Sequence, residues 1–263
     1  MRALMMILCL LGGLAHAEPA QLHVAGEIAP GIKTIDQGAL RAQEHDRITH
    51  ITFHHEGFAG SDADLFAKAS RARQTQSITQ RVLNINHYHA TDAGLGMIAY
   101  HYVVAPSGEI AKARPVKYKP ATMSTEWGSS QRADFEGHFA VMALGDFNHE
   151  SLTPAARLSM IQVMSEAQRA YRVPTHLIQP HRAHANTSCP GETMLAEADE
   201  LALQVTVYSV QTELSLRGCD VAADGIAGTA TRKALVAAGL PGAGDVTDTV
   251  LFRLIDNPDL HCM

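Results

Sequence analysis

His181-Arg182-Ala183-His184-Ala185-Asn186-Thr187-Ser188-Cys189-Pro190-Gly191 sets an imidazole eight residues ahead of a thiol. Both are zinc-ligand types, here held in one short loop. Far upstream, the β-branched run Ile48-Thr49-His50-Ile51-Thr52-Phe53 leads directly into His54-His55. A strand end and a distant loop can therefore close around one metal. Two imidazoles and one thiolate leave the fourth tetrahedral position of zinc open, as in catalytic rather than structural sites. The chemistry such a metal supplies at neutral pH is hydrolysis. Spacing alone does not choose His181 over His184, which lies five residues before Cys189. Consecutive strand residues face opposite sides, so only one of His54 and His55 faces the metal.

Outward from these two segments, the chain alternates strand and helix patterns. Ile48 to His54 reads as a strand, and the spacing of Leu65, Phe66, Ile78, Val82 and Ile85 makes residues 62–89 helical, with Gly94 and Gly96 as the stop. Ile98 to Val104 reads as a strand, turned by Pro106-Ser107-Gly108 into a hairpin with Glu109-Ile110-Ala111. Phe139 to Leu144 is a further strand before Gly145-Asp146-Phe147-Asn148. Thr153-Pro154 starts a helix, with a hydroxyl cap and proline at the first helical position, that runs to about Arg172. Leu177-Ile178 is a short strand into the metal loop, and Glu192 to about Gln204 is helical. Strands interleaved with helices give an α/β domain with a central sheet. After about residue 205 the strand-like alternation stops, and glycines 218, 225, 228 and 239 divide a compact set of short helices. Tyr88 and Tyr102 read as core aromatics. Asp146 reads as a turn-fixing residue, and Glu56 and Glu150 as either general bases or surface acids.

At 263 residues and 46% hydrophobic, the chain can bury one full domain and a small appendage. Residues 1–17 combine Arg2, an apolar run too short to span a bilayer, and Ala15-His16-Ala17, the pattern of a cleaved secretory signal. Cys9 sits inside that run between Leu8 and Leu10, which is the wrong context for a lipidation cysteine, so no membrane anchor is expected. Periplasm or secretion to the medium follows as the expected location. The remaining chain carries 20 basic against 27 acidic side chains, and an acidic chain is a poor nucleic-acid binder. Three cysteines then remain, Cys189, Cys219 and Cys262. If Cys189 holds a metal, the other two can pair; three buried thiols are the alternative.

Four blocks occur in one order: Ile51-Thr52-Phe53-His54-His55, Gly96 to Tyr102, Ala143 to Asn148 and His181 to Gly191. Together they make the chain resemble the zinc-dependent N-acetylmuramoyl-L-alanine amidases that include the peptidoglycan recognition proteins. The resemblance implies a central mixed β-sheet flanked by helices over residues 46–204, after an irregular lead-in at 18–45. It also implies Zn2+ on His54, His181 and Cys189, with Tyr100 and Thr187 as catalytic residues at the developing oxyanion. His55 and His184 are not ligands in the family pattern. The implied substrate is peptidoglycan or a muropeptide, taken by a monomer, with a non-catalytic recognition protein or a stem-peptide peptidase as alternatives. Residues 205–263, through Val210 to Leu214, Leu216-Arg217-Gly218 and Asp224 to Leu235, resemble a small three-helix peptidoglycan-binding domain. That match departs at Ala237-Ala238-Gly239, where the usual apolar-aromatic residue is missing.

Overall fold

Along His50–His55 (β1), Ile51 and Phe53 are fully buried on one face, while His50, Thr52 and His54 occupy the other. That alternation is the two-residue period of a strand. The computed structural model describes residues 22–57, 62–122, 136–240 and 246–262; the expected signal segment, residues 1–17, lies outside the described residues. β1 belongs to a five-stranded sheet with Tyr102–Val104 (β2), Ile110–Lys112 (β3), His138–Ala143 (β4) and Ile178–Pro180 (β5), in the order β3-β2-β4-β1-β5. β1 is parallel to β4 and β5, and β2 is parallel to β4; the expected β2–β3 hairpin is antiparallel, so the sheet is mixed. The helices are Gln37–Arg41 (α1), Ala63–Thr75 (α2), Ile78–Thr91 (α3), Pro154–Tyr171 (α4), Glu192–Ala196 (α5), Ala198–Leu216 (α6), Thr229–Ala237 (α7) and Asp248–Asp256 (α8).

One sheet face, with Ile51, Phe53, Tyr102, Val104, Phe139 and Val141, packs on Met160, Val163, Met164 and Ala167 of α4 and on Leu201 and Val205 of α6. The other face, with Val103, Ala111 and Met142, packs on Leu40 of α1, Ile78 and Val82 of α3, and Met97-Ile98. α4 begins as its sequence indicates: Thr153 Oγ1 accepts from Ala156 N–H at 3.0 Å, and Pro154 follows. Arg172 ends it in the left-handed region at φ 57°.

Four departures from the sequence reading have local causes. The helical stretch 62–89 is two helices, because Gln76 is extended and the Ser77 hydroxyl caps α3 by accepting from Gln80 N–H. The strand read over 98–104 is regular only at 102–104. Ahead of it, Ile98 N–H donates to Asn86 Oδ1, Ala99 N–H to His89 Nδ1, and the fully buried Arg114 donates to the Met97 and Ile98 carbonyls. Side chains thus serve the backbone of Met97 to Ala99, while Tyr100 and His101 keep backbone bonds to Arg114, Ala113 and Ala140. Tyr88 is 59% exposed near the end of α3 rather than in the core, whereas Tyr102 is buried and its hydroxyl donates to the Leu22 carbonyl.

The fourth departure concerns the helix read over Glu192 to about Gln204: α5 ends at Ala196, and α6 runs unbroken from Ala198 to Leu216. Leu201, Ala202 and Val205 face the sheet core, and Val210 and Leu214 face a separate core with Leu235, Leu240, Leu251 and Leu254 of the C-terminal helices. No glycine or proline interrupts α6, so the two cores share one helix. Gln211 organises the Asp224-Gly225 turn, accepting from the N–H groups of Asp224 and Gly225 and donating to Asp224 Oδ1 and Thr231 Oγ1. Cys219 and Cys262 form a disulfide that ties the last residues to the end of α6. Among the described residues, no helix is long and apolar enough to cross a membrane.

Candidate metal centre

His54 lies near the carboxyl end of β1, the end of parallel strands where sites form in α/β sheets. Pairing of β1 with β5 brings the following loop alongside, because Pro180 pairs with Phe53 and His181 comes next. The loop opens with a 3-10 turn at His181–Ala183, in which His184 N–H donates to the His181 carbonyl at 2.9 Å. The His54 and His181 ring centroids are 4.6 Å apart, and Cys189 Sγ lies 3.6 Å from His54 Nδ1. One ligand atom from each of His54, His181 and Cys189 lies within 4.8 Å of the others, the one such trio of metal-ligating type found among the described residues.

The three residues fit zinc in donor type and in spacing. With Zn–N of about 2.05 Å and Zn–S of about 2.3 Å, tetrahedral angles put nitrogen and sulfur about 3.5 Å apart, close to the 3.6 Å observed. Burial, followed by the neighbouring His181, holds His54 well below the ordinary histidine value; burial, followed by His184, brings His181 down to about 4. Both imidazoles are therefore neutral at pH 7, the state a metal ligand needs.

Tyr100 and Thr187 are also brought to this point. The Tyr100 ring lies 5.2 Å from that of His54, and 6.0 Å from that of His89 on α3. Thr187 Oγ1 accepts from Cys189 N–H at 3.1 Å, which leaves its hydroxyl hydrogen to donate elsewhere. His55 faces the opposite side of the sheet, where its Nδ1 accepts from Phe147 N–H at 3.2 Å. His184 lies in the loop but outside the convergent trio. Asp146 fixes its turn by accepting from Asn148 N–H at 3.2 Å.

With this geometry in view, comparison with known proteins gives one family: residues 44–192 match the N-acetylmuramoyl-L-alanine amidases of the Amidase_2 type. The chain belongs to that family. Two curated relatives are the peptidoglycan-recognition proteins SC2 of Drosophila simulans and Drosophila melanogaster, each 27% identical over 121 residues, 46% of this chain and 61% of theirs. The chain thus spans about three fifths of the length of these curated relatives. Among solved structures, the endolysin amidase LysCS from Clostridium intestinale URNW is similar at TM-score 0.48 and 17% identity, over 65% of this chain and 90% of that one. The peptidoglycan recognition protein SD of Drosophila is similar at TM-score 0.49 and 15% identity, over 65% and 92%.

Two devices that the sequence does not announce hold this amidase-family site in place. The first is a close approach of backbones. Gly191 sits at φ +88°, and a Cβ there would lie 2.5 Å from the Phe147 carbonyl carbon. Glu192 N–H donates to Asn148 Oδ1, and Thr193 Oγ1 donates to the Phe147 and Glu150 carbonyls. The Gly145-to-Asn148 turn thereby clamps the end of the Cys189 loop. Gly191→Ala is expected to cost at least about 2 kcal/mol and to lower zinc stoichiometry, read from a denaturant melt and metal analysis; a wild-type melt would contradict the clamp.

The second device is a buried ion-pair network at Glu56. Its side chain, 9% exposed, pairs with Arg73 of α2 at 3.4 Å and with Arg81 of α3. Arg73 also pairs with Glu150 at 2.5 Å. Glu56 is therefore not a solvated surface acid and holds α2 and α3 against the end of β1, while Glu150, part-exposed, pairs with α2 alone. Removing one partner of a buried pair leaves an uncompensated charge and costs about 3–5 kcal/mol. Glu56→Ala is accordingly expected to lower stability by about that amount in urea unfolding, and a loss below about 1 kcal/mol would mean that water screens these charges.

Proposed function

We propose that this chain is a zinc-dependent N-acetylmuramoyl-L-alanine amidase that hydrolyses the amide between the lactyl group of N-acetylmuramic acid and the L-alanine of the stem peptide. The observation that carries this reading is the convergence of His54, His181 and Cys189 within 4.8 Å. Membership of the amidase family supports it. Zinc held by these residues would act as a Lewis acid on the scissile carbonyl and supply a nucleophile at neutral pH.

The chain's own residues do the rest. Tyr100, beside His54, donates its phenolic hydrogen toward the carbonyl oxygen as negative charge develops there. Thr187, whose oxygen is already engaged by Cys189 N–H, directs its hydroxyl hydrogen to the same oxygen. Donors fixed before the charge appears cost no reorganisation when it does. Burial keeps His54 and His181 neutral, so they stay available as ligands at working pH.

The C-terminal helices, through their resemblance to wall-binding modules, are assigned a supporting hold on the same polymer. Export to the periplasm or the medium belongs to this reading, and the Cys219–Cys262 disulfide is consistent with an oxidising compartment.

The test is release of new L-alanine amino termini from purified peptidoglycan. Release that stops with a chelator and returns with zinc supports the amidase. No release under zinc-replete conditions makes the chain a recognition protein, and products cut within the stem peptide, seen by mass spectrometry, make it a peptidase.

A further inference from the structure

Between the two metal-loop residues His181 and Cys189 stands His184, and its ring is docked on a pair of stacked imidazoles. The β1–β4 register pairs His50 directly with His138. Their rings lie 4.4 Å apart and 6° from parallel. Thr49 Oγ1 is hydrogen-bonded with His50 Nδ1 at 2.8 Å, and Thr52 Oγ1 with His138 Nδ1 at 2.6 Å, so neither ring is free to rotate. The His184 ring stands nearly perpendicular to both, with its centroid 4.6 Å from that of His138 at 86° and 5.6 Å from that of His50 at 88°.

All of this occurs on the face of β1 that carries His54, beside the metal centre. His184 Nε2 is buried and has no hydrogen-bond partner among the described residues, and the ring packs edge-on against the two stacked rings. Burial holds all three imidazoles below their ordinary value, so the rings meet as neutral groups at pH 7. The His184 amide closes the turn on the His181 carbonyl at 2.9 Å, which couples the docked ring to the backbone of His181 within one turn.

We propose that His184 is a positioning residue for the metal: its ring, seated against the His50–His138 stack, holds loop 181–191 so that His181 and Cys189 meet His54 before any metal arrives. This rests on the reading of His54, His181 and Cys189 as ligands. It goes beyond that reading by assigning the preorganisation to three histidines outside the ligand trio.

The test compares His184→Ala and His184→Phe with the wild type in two measurements that need no amidase activity. One is zinc affinity, by competition with a chromophoric chelator. The other is the rate at which iodoacetamide alkylates Cys189 in the metal-free protein, localised by mass spectrometry. His184→Ala is expected to bind zinc about tenfold more weakly, the size of effect seen when groups supporting a ligand are lost, and to alkylate severalfold faster. His184→Phe keeps a ring in the same seat and is expected to restore both to within about twofold of the wild type.

Wild-type zinc affinity and alkylation rate in His184→Ala would overturn the proposal. So would a tenfold zinc deficit in His184→Phe, which decides the matter even if the alanine variant does not fold. Absence of amine release from peptidoglycan would defeat the amidase reading and leave both of these measurements standing.

Discussion

Replacing Cys189 with alanine is expected, on the proposed reading, to weaken zinc binding at least about 100-fold and to remove amidase activity with it. The groups that merely support a ligand are worth about 10- to 100-fold in metal affinity, and Cys189 supplies a ligand atom itself. As a metal-bound thiolate it would also be the one anionic donor of the trio, beside two neutral and buried imidazoles. Without the thiolate, a divalent ion in that buried position has no charge to offset its lost hydration. The residue lies in a loop, partly exposed, so its loss leaves the two sheet cores intact. The variant should therefore melt within a few degrees of the metal-free wild type while failing to retain zinc on dialysis. Full zinc occupancy in the alanine variant would show that the metal sits elsewhere.

The metal-free protein is expected to unfold on mild acidification, with a midpoint between about pH 4 and 5.5. Burial brings His55 down to about 4, His101 to about 3 and His138 to about 2. All three are neutral in the fold, and their side chains are spoken for: His101, for instance, accepts from Ala140 N–H and donates to the Tyr118 carbonyl. In the unfolded chain each titrates near about 6.5. Above that value these groups exact no penalty. Below it, the unfolded chain takes up protons that the fold refuses, so stability falls as the pH is lowered toward the folded-state values.

Each such group costs about 1.4 kcal/mol per pH unit, so three cost about 4 kcal/mol per unit. A domain at the lower end of the usual range, about 5–8 kcal/mol, exhausts that within about two units. Far-UV circular dichroism during an acid titration reads the midpoint, and native ellipticity persisting at pH 3 would contradict this account of the buried histidines.

Much of the fold was legible because its signals are local. The β-branched run wrote β1, the apolar run from Phe139 to Leu144 wrote β4, the Pro106-Ser107-Gly108 turn wrote the hairpin, and Thr153-Pro154 wrote the start of α4. The meeting of His54, His181 and Cys189 was legible from residue types and from family order, since spacing by itself left His184 open. What stayed hidden depends on partners distant in sequence. Arg114 takes the Met97 and Ile98 carbonyls where the apparent strand begins, and nothing local marks it as buried. Glu56 gains its role from Arg73 and Arg81 across two helices. Tyr88 is aromatic within a helical pattern yet faces solvent, because the stripe that α3 buries is formed by Ile78, Val82 and Asn86. The histidine stack was equally out of reach, since it exists only once β1 and β4 set their register.

The measurement that bears most directly on the central claim is X-ray absorption at the zinc edge of the purified, zinc-loaded protein. A shell with one sulfur at about 2.3 Å and two imidazole nitrogens at about 2.0–2.1 Å, plus one further light atom, is the result predicted for His54, His181 and Cys189. A shell of nitrogen and oxygen alone, with no sulfur, would contradict it.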